Sequence, residues 1–122
     1  MEKVNLNEKL ASFDSIWVPK IVGELNRQYV KVVKVKDEYV WHHHETEDEM
    51  FLVLEGRLEI HLRDSVVSLS EGEFVVVPHG VEHKPVAPDG VASILLFEPK
   101  TTRNTGNVDH NLTIEAVKLE MI

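Results

Sequence analysis

The 122-residue sequence contains no cysteine, so disulfide bonds and thiolate metal sites are both excluded. No apolar run is long enough to span a bilayer, and the polar N-terminus MEKVNLNEKL lacks the basic-then-apolar form of a signal peptide. The absence of cysteine is compatible with a reducing compartment. We therefore predict a soluble, cytoplasmic protein that does not associate with membranes.

Positive charge is also scarce, since 13 lysines and arginines face 21 aspartates and glutamates and leave a net charge of −8. Only VKVVKVKDEY (residues 30–39) approaches a basic patch, and its lysines Lys31, Lys34 and Lys36 sit between valines. We interpret these lysines as the solvated face of a strand. An acidic chain without a basic block is a poor partner for a phosphate backbone, so we expect no nucleic-acid binding.

The composition, with 43% hydrophobic and 28% charged residues, is that of an ordinary globular protein. We expect one domain over residues 1–122, since the chain is long enough to bury a core without covalent or metal cross-links. Leu6, Leu10 and Phe13 recur at helical spacing near the N-terminus. Asn5 precedes them as a possible N-cap, with Glu8 three residues later, so a short N-terminal helix is predicted.

From Ile16 onward the pattern changes to short runs typical of β-strands, separated by turn residues such as Glu71-Gly72 and Pro88-Asp89-Gly90. Many short strands without a long helical pattern indicate an all-β antiparallel sandwich or barrel rather than a parallel α/β sheet. The predicted strands are IWVPKIV, YVKVVKV, YVWHHH, MFLVLEG, RLEIHLRD, SVVSL, EFVVVP, KPVAP and VASILLFEP. The final segment LTIEAVKLEMI fits either a last strand or a helix.

Two of these runs, MFLVL (residues 50–54) and EFVVV (residues 73–77), place apolar side chains on both faces of their strands. One face would fill the interior, and the other would pack on a second sheet or on a partner subunit. A sheet that is apolar on both sides in so small a protein predicts a homodimer.

The segment HHHETEDE (residues 42–49) is the first candidate for a metal site. Side chains alternate between the faces of a strand, so His42 and His44 share one face while His43 points the other way. We expect the acids that follow to form a hairpin turn, with Glu49 folding back beside His44 at the start of the next strand. Taken alone, the segment leaves open a solvated strand end or loose metal binding by a histidine-rich tract.

The second candidate segment is GEFVVVPHGVEHKPV (residues 72–86), which contains an apolar strand, a Pro-x-Gly turn and then His83. A histidine at this position could complete a site of three nitrogens and one oxygen with the first segment. That ligand set suits borderline divalent cations such as zinc, iron, manganese, cobalt, nickel or copper. We expect the remaining histidines to lie mainly at the surface: His43, His61, His79 and His110.

Together the two segments resemble the two motifs of the cupin family. The first motif, H-x-H, three or four residues, Glu, six residues and Gly, is matched by His42, His44, Glu49 and Gly56. The second, G-x5-P-x-G-x2-H, is matched by Gly72, Pro78, Gly80 and His83. In two places the chain departs from the family pattern: Lys36 stands where a glycine often opens the first motif, and Ala87 stands where an asparagine often closes the second.

This resemblance covers about residues 30–99 and implies a small jelly-roll β-barrel, or double-stranded β-helix. It also implies that one divalent transition metal is bound by His42, His44, Glu49 and His83. Neither Lys36 nor Ala87 is a ligand in this pattern, so the departures bear on subfamily rather than on metal binding. More narrowly, the chain is similar to the small single-domain cupins grouped with phosphomannose isomerase, a grouping that says little about substrate.

Three neutral imidazoles, one carboxylate and a divalent cation have a net charge of about +1, which favours an anionic or chelating small-molecule ligand. The first hypothesis is an isomerase or epimerase acting on a small polar molecule through a metal-stabilised enediolate. No general base is identified, so the catalytic residues are unknown. The alternatives are a metal-dependent dioxygenase and a non-catalytic cupin that binds metal or a small ligand. A phosphorylated sugar is disfavoured as the substrate because no arginine is expected on the inner face beside the motifs. The chain has four arginines: Arg27, Arg57, Arg63 and Arg103.

Overall fold

The computed structural model describes residues 1–122 and has one short α-helix and eight strands. These are α1 (Leu6–Ala11), β1 (Lys20–Leu25), β2 (Gln28–Glu38), β3 (Glu49–Glu55), β4 (Leu58–His61), β5 (Val66–Leu69), β6 (Phe74–Val77), β7 (Lys84–Pro99) and β8 (Glu120–Met121). The predicted all-β architecture with a short N-terminal helix is confirmed. No helix has the length and apolar character needed to cross a membrane.

Helix α1 begins where the sequence predicts. The Asn5 side chain accepts a hydrogen bond from the backbone N–H of Glu8 at 3.0 Å, which satisfies one of the free donors of the first turn. The helix packs against β2 through the buried side chain of Leu10. Just beyond it, the Lys34 ammonium donates to the Phe13 carbonyl at 2.6 Å and so ties the end of this segment to β2.

Strand β7 organises the sheet because it pairs with β2 on one edge and with two strands on the other. Its first half pairs with β4 and its second half with β3. The prediction of two strands separated by a turn at Pro88-Asp89-Gly90 was wrong. Ala87 pairs with Asp37 and Ala92 pairs with Val35, so the four residues between the two alanines form a bulge within one long strand.

The two ends of the chain lie close together, since the Lys9 ammonium donates to the Ile122 carbonyl at 2.6 Å. The predicted strand IWVPKIV begins only at Lys20, because Trp17 has a left-handed φ of 62° and Ile16 forms a single bridge with Lys34. The C-terminal segment, left open as strand or helix, contains a 3-10 turn at Ala116–Lys118 and the two-residue strand β8. Strand β8 pairs in parallel with β1.

Alternate side chains of the strands fill the interior, where twelve buried apolar residues form one cluster. Val53, Leu58 and Ile60 are almost fully buried there. On the opposite face of β6, Phe74 is 60% exposed and Val76 is 49% exposed. The sheet is therefore apolar on both faces, as the sequence pattern predicts.

Two glycines of the motifs allow a direct test of close packing at a turn. Gly56 has a φ of +87°, and an added Cβ would lie 3.0 Å from the Cβ of Ala92, whereas Gly72 has a φ of +81° with nothing within 4 Å. Both alanine variants incur the same kind of backbone strain, but only Gly56→Ala adds a steric clash. We expect Gly56→Ala to lower the free energy of unfolding by about 1–3 kcal/mol more than Gly72→Ala in urea denaturation. Equal losses would contradict the close approach.

Candidate metal centre

The three consecutive histidines, His42, His43 and His44, lie in an irregular segment between β2 and β3, so the predicted strand YVWHHH does not form. The expected hairpin with the next strand is also absent, because β3 pairs with β6 and β7 instead. His42 makes an isolated antiparallel bridge with His83: the His42 N–H donates to the His83 carbonyl at 3.0 Å, and the reverse bond is 2.9 Å. The rings of His42 and His44 still lie on the same side of this segment, with their centroids 5.0 Å apart.

The structure brings together all four residues that the motifs single out. One ligand atom from each of His42, His44, Glu49 and His83 lies within 4.8 Å of the other three, and all four residues are buried. Glu49 Oε1 is 3.3 Å from His44 Nε2 and 3.5 Å from His83 Nε2. These side chains come from three separate segments: the irregular segment, the start of β3 and the residue before β7.

Backbone hydrogen bonds orient two of the rings. The Nδ1 atoms of His42 and His83 lie 2.9 Å from the carbonyl oxygens of Val40 and Val81, respectively. A carbonyl only accepts, so each Nδ1 carries the proton and each Nε2 keeps a free lone pair.

Three atoms of the cluster are buried without any hydrogen-bond partner: His44 Nε2, His83 Nε2 and Glu49 Oε1. Unpartnered buried polar atoms are rare in folded proteins. Three imidazole nitrogens and a carboxylate oxygen that converge in this way fit a divalent transition metal.

The protonation states of two cluster residues suit metal ligation. Burial, reinforced by the neighbouring His83, lowers the pKa of His42 to about 4, so its ring is neutral at neutral pH. Burial opposes ionisation of Glu49, but its close neighbours Glu98, His44 and His83 outweigh it and hold the pKa of Glu49 well below its usual range. The carboxylate is therefore available as an anionic ligand.

Lys31 corrects the interpretation of the lysines as a solvated face. Its side chain is 1% exposed, and its ammonium donates to Glu98 Oε1 at 2.7 Å. Strand alternation places Lys31 on the interior face with Val33, whereas Lys34 lies on the outer face beside Phe13. Strict counting of strand parity would have separated the two lysines in the sequence.

Glu98 is the other residue of the site that sequence reasoning missed. Burial, followed by the charge of Glu49, raises the pKa of Glu98 well above its usual range despite the neighbouring Lys31. An isolated glutamate near the end of a predicted strand carries no motif that would have identified it.

An interior cavity of about 40 Å³ meets the cluster at His42 and Glu49. Apolar side chains form most of its wall, and no lysine or arginine lines it. Trp17 and Tyr39 stack in this wall with ring centroids 4.4 Å apart. The buried Tyr39 hydroxyl has no hydrogen-bond partner within the protein, so it is free to bind a ligand oxygen.

A second, wholly polar groove adjoins His44, and Arg103 is the one arginine that lines it. The Arg103 guanidinium is held by Asp109 at 2.5 Å and by Glu115 at 3.1 Å. The remaining histidines lie outside the four-residue cluster. His43, His61 and His79 each contact a nearby carboxylate, and His110 is exposed.

Gly106 supports the histidine segment, although it lies outside both sequence motifs. The next residue, Asn107, accepts from the His43 N–H through its side chain at 2.9 Å and donates its own N–H to the His43 carbonyl at 3.1 Å. Gly106 itself has a φ of +55°, and an added Cβ would collide with the His43 carbonyl oxygen and lie 3.0 Å from Cδ2 of His42. Only glycine fits this position without displacing the histidines.

Comparisons with known proteins point to one family. The model of the Cupin domain family matches residues 29–98. A cupin-2 domain containing protein from Shewanella frigidimarina is 44% identical, with a TM-score of 0.77 over 79% of this chain and 93% of that one. KdgF from Halomonas sp. is 31% identical, with a TM-score of 0.58 over 66% of this chain and 76% of that one. The uncharacterized protein YdbB of Bacillus subtilis is 34% identical over 80 residues, which are 65% of this chain and 65% of that protein's length.

Replacing Gly106 by alanine should disturb the cluster itself. We expect Gly106→Ala to weaken zinc affinity at least about tenfold, because the new methyl group displaces His42 and the backbone of His43. Competition against a chromophoric chelator measures this affinity. Gly90→Ala is the matched control, since Gly90 has a φ of +93° with nothing within 4 Å of an added Cβ. If both variants bound zinc as the unmodified protein does, Gly106 would have no role in placing the histidines.

Proposed function

This chain belongs to the cupin family, and on that premise we propose that it binds one divalent transition metal through His42, His44, Glu49 and His83. The observation that carries the proposal is the set of three buried, unpartnered ligand atoms on His44, His83 and Glu49. Leaving such atoms buried without a partner is costly, and a cation that accepts their lone pairs removes that cost. Manganese, iron, zinc, nickel, cobalt and copper all suit the donor set.

We further propose that the site is that of an enzyme acting on a small molecule that chelates through oxygen atoms, by isomerisation or epimerisation. A bound divalent ion supplies Lewis acidity, which polarises a carbonyl group. The chain contributes the surroundings: apolar walls exclude water from the cavity, and the Tyr39 hydroxyl donates a hydrogen bond to a ligand oxygen. The whole chain, residues 1–122, acts as one unit in this proposal.

The cavity wall also narrows the ligand class. No lysine or arginine lines the cavity, so a phosphate group would have no cationic side chain to bind it. This disfavours a phosphorylated sugar as the substrate, and with it the hypothesis of a phosphomannose-isomerase-like activity. An oxygen-dependent reaction is the second candidate, and the apolar wall favours it because a water-poor site protects reactive species from hydrolysis.

Removing one ligand from the second motif tests whether the two motifs build one site. We expect tag-free protein to contain about one metal ion per chain, and His83→Ala to lose most of it, because Nε2 of His83 faces Glu49 at 3.5 Å. Elemental analysis by mass spectrometry measures both. The control is His79→Ala, since His79 lies in the same turn but contacts only the exposed Asp48. A metal-free protein that cannot be loaded, or equal metal in both variants, would contradict the proposed site.

The same preparations separate the enzyme from a non-catalytic binder. Protein loaded separately with manganese, zinc or iron is screened for turnover of hydroxyketones and β-diketones, with and without oxygen. Oxygen-independent turnover lost in His83→Ala supports the isomerase, and oxygen consumption supports the dioxygenase. Stoichiometric metal without turnover of any of these compounds would argue for a binding protein.

We also propose that the chain forms a homodimer through the outer face of β3, β6 and β7. Leu52 lies between Phe74 and Leu95 in the sheet register, and neighbouring Met50 lies between Val76 and Phe97. These two rows form a continuous apolar surface that water covers in a monomer. A second copy of the same surface is self-complementary and would bury it.

A charge in this surface should separate the subunits. We expect a solution mass of twice 13.9 kDa for the unmodified chain and of 13.9 kDa for Phe74→Asp, measured by light scattering during size exclusion. Val117→Asp is the control, because Val117 is 93% exposed in the C-terminal 3-10 turn and lies outside the surface. An unmodified chain that runs as a monomer would contradict the proposal.

A further inference from the structure

Trp17 has a backbone conformation that is unusual for a bulky side chain. Its φ of 62° lies in the left-handed region, where a side chain crowds the backbone and where glycine is the common residue. Two hydrogen bonds hold Trp17 there: its backbone N–H donates to the Lys34 carbonyl at 2.8 Å, and its indole N–H donates to the Lys36 carbonyl at 2.9 Å. Strain of this kind persists only where the surroundings enforce it, and it is common at ligand-binding sites.

The indole ring of Trp17 forms part of the wall of the interior cavity. Trp17 is half-buried, so its side chain borders the cavity and also contacts solvent. The indole stacks on the ring of Tyr39, with 4.4 Å between the ring centroids and 24° between the ring planes. Tyr39 in turn meets the ring of His42 edge-on, with the centroids 5.7 Å apart. The rings therefore form a continuous row that leads from a side chain in contact with solvent to a proposed metal ligand.

The cavity that Trp17 borders is small and mostly apolar. Its volume is about 40 Å³. For comparison, a protein cavity that binds benzene has a volume of about 150 Å³, and a single water molecule needs about 10–15 Å³. Val33, Phe51 and Ile94 are among the apolar side chains of the wall. The cavity therefore suits an apolar group of a few atoms, such as a short alkyl group, better than a ring or a long chain.

We propose that Trp17 is a specificity-determining residue: its indole ring closes the outer end of the cavity and restricts the ligand to a small oxygen chelator with a short alkyl substituent. The chelating end of this ligand meets the four-residue cluster, and the substituent occupies the cavity beside Trp17. A longer substituent would clash with the indole ring, which the Tyr39 stack and the two hydrogen bonds hold in place. The inference rests on the proposed function and adds the size and polarity of the ligand.

The test compares two chelators that differ only in chain length, acetohydroxamate and hexanohydroxamate, on protein loaded with zinc. Isothermal titration calorimetry measures both dissociation constants, and the zinc content of the protein is measured again afterwards. We expect the unmodified protein to bind acetohydroxamate at least about tenfold more tightly, because the longer chain overfills the cavity. In Trp17→Gly the preference should fall to about twofold or less, since the indole ring is gone and glycine adopts this φ without strain.

Trp41→Leu is the matched control, because Trp41 does not line the cavity and its ring lies 3.8 Å from the guanidinium carbon of Arg63. This variant should keep a preference of at least about tenfold for acetohydroxamate. Each variant is judged by the ratio of two affinities, so a general change in the metal site cancels. If Trp17→Gly fails to fold, Trp17→Leu replaces it, and its preference must fall at least about threefold because leucine is much smaller than the indole ring.

An unchanged preference in Trp17→Gly would overturn the inference, because the indole ring would then not limit the ligand. Equal binding of both hydroxamates by the unmodified protein would also overturn it, since the alkyl chain would then lie outside the cavity, for example in the polar groove beside His44.

Failure of the proposed function gives different results in the same experiment. If the unmodified protein took up no zinc, manganese or iron, the metal site and the role of Trp17 would both be wrong. If it held zinc but bound neither hydroxamate, the metal site would stand, whereas the chelating ligand and the role of Trp17 would both be wrong.

Discussion

The two backbone hydrogen bonds between His42 and His83 are the constraint on which the site depends. They join an irregular segment after β2 to the residue before β7, although the two histidines are far apart in the chain. Each ring is then fixed by a carbonyl of its own segment, which leaves both Nε2 atoms free to act as ligands in the cluster. With the rings and the backbone both held, little conformational freedom remains to be lost when a cation binds.

The sheet holds this bridge in place from several directions. Strand β7 starts one residue after His83 and runs the length of β2, so the second motif is anchored to the strand that precedes the first. Glu49 opens β3, which pairs with the far half of β7. The turn at Gly106 closes the remaining side by contacting His42 and His43. A polar cluster thus sits in an apolar barrel and is held by backbone pairing and hydrogen bonds from several sides.

Local patterns in the sequence were sufficient to predict much of the fold and of the candidate metal centre. Asn5 with Glu8 identifies the helix start because capping is a local interaction, and the two motifs single out the four residues that the structure brings together. The missed features depend on distant partners. The turn-like sequence Pro88-Asp89-Gly90 forms part of a bulge, because β2 pairs with β7 on both sides of it. No local sequence pattern reveals that pairing. Likewise, neither Lys31 nor Glu98 lies in a motif, and the meaning of each appears only when β2 and β7 are aligned.

A divalent cation in the proposed site would give the interior of the barrel a charge opposite in sign to that of the whole chain. The chain has a net charge of −8, yet the interior near the cluster contains only the Lys31 ammonium paired with Glu98 and the carboxylate of Glu49. Adding a divalent cation makes this interior net positive, in surroundings where charges are weakly screened. The site itself would then attract an anionic or strongly chelating ligand, although the acidic surface repels such a ligand at longer range. The apolar cavity wall, which offers no second cation, restricts that ligand to one whose negative charge lies at the end that meets the metal.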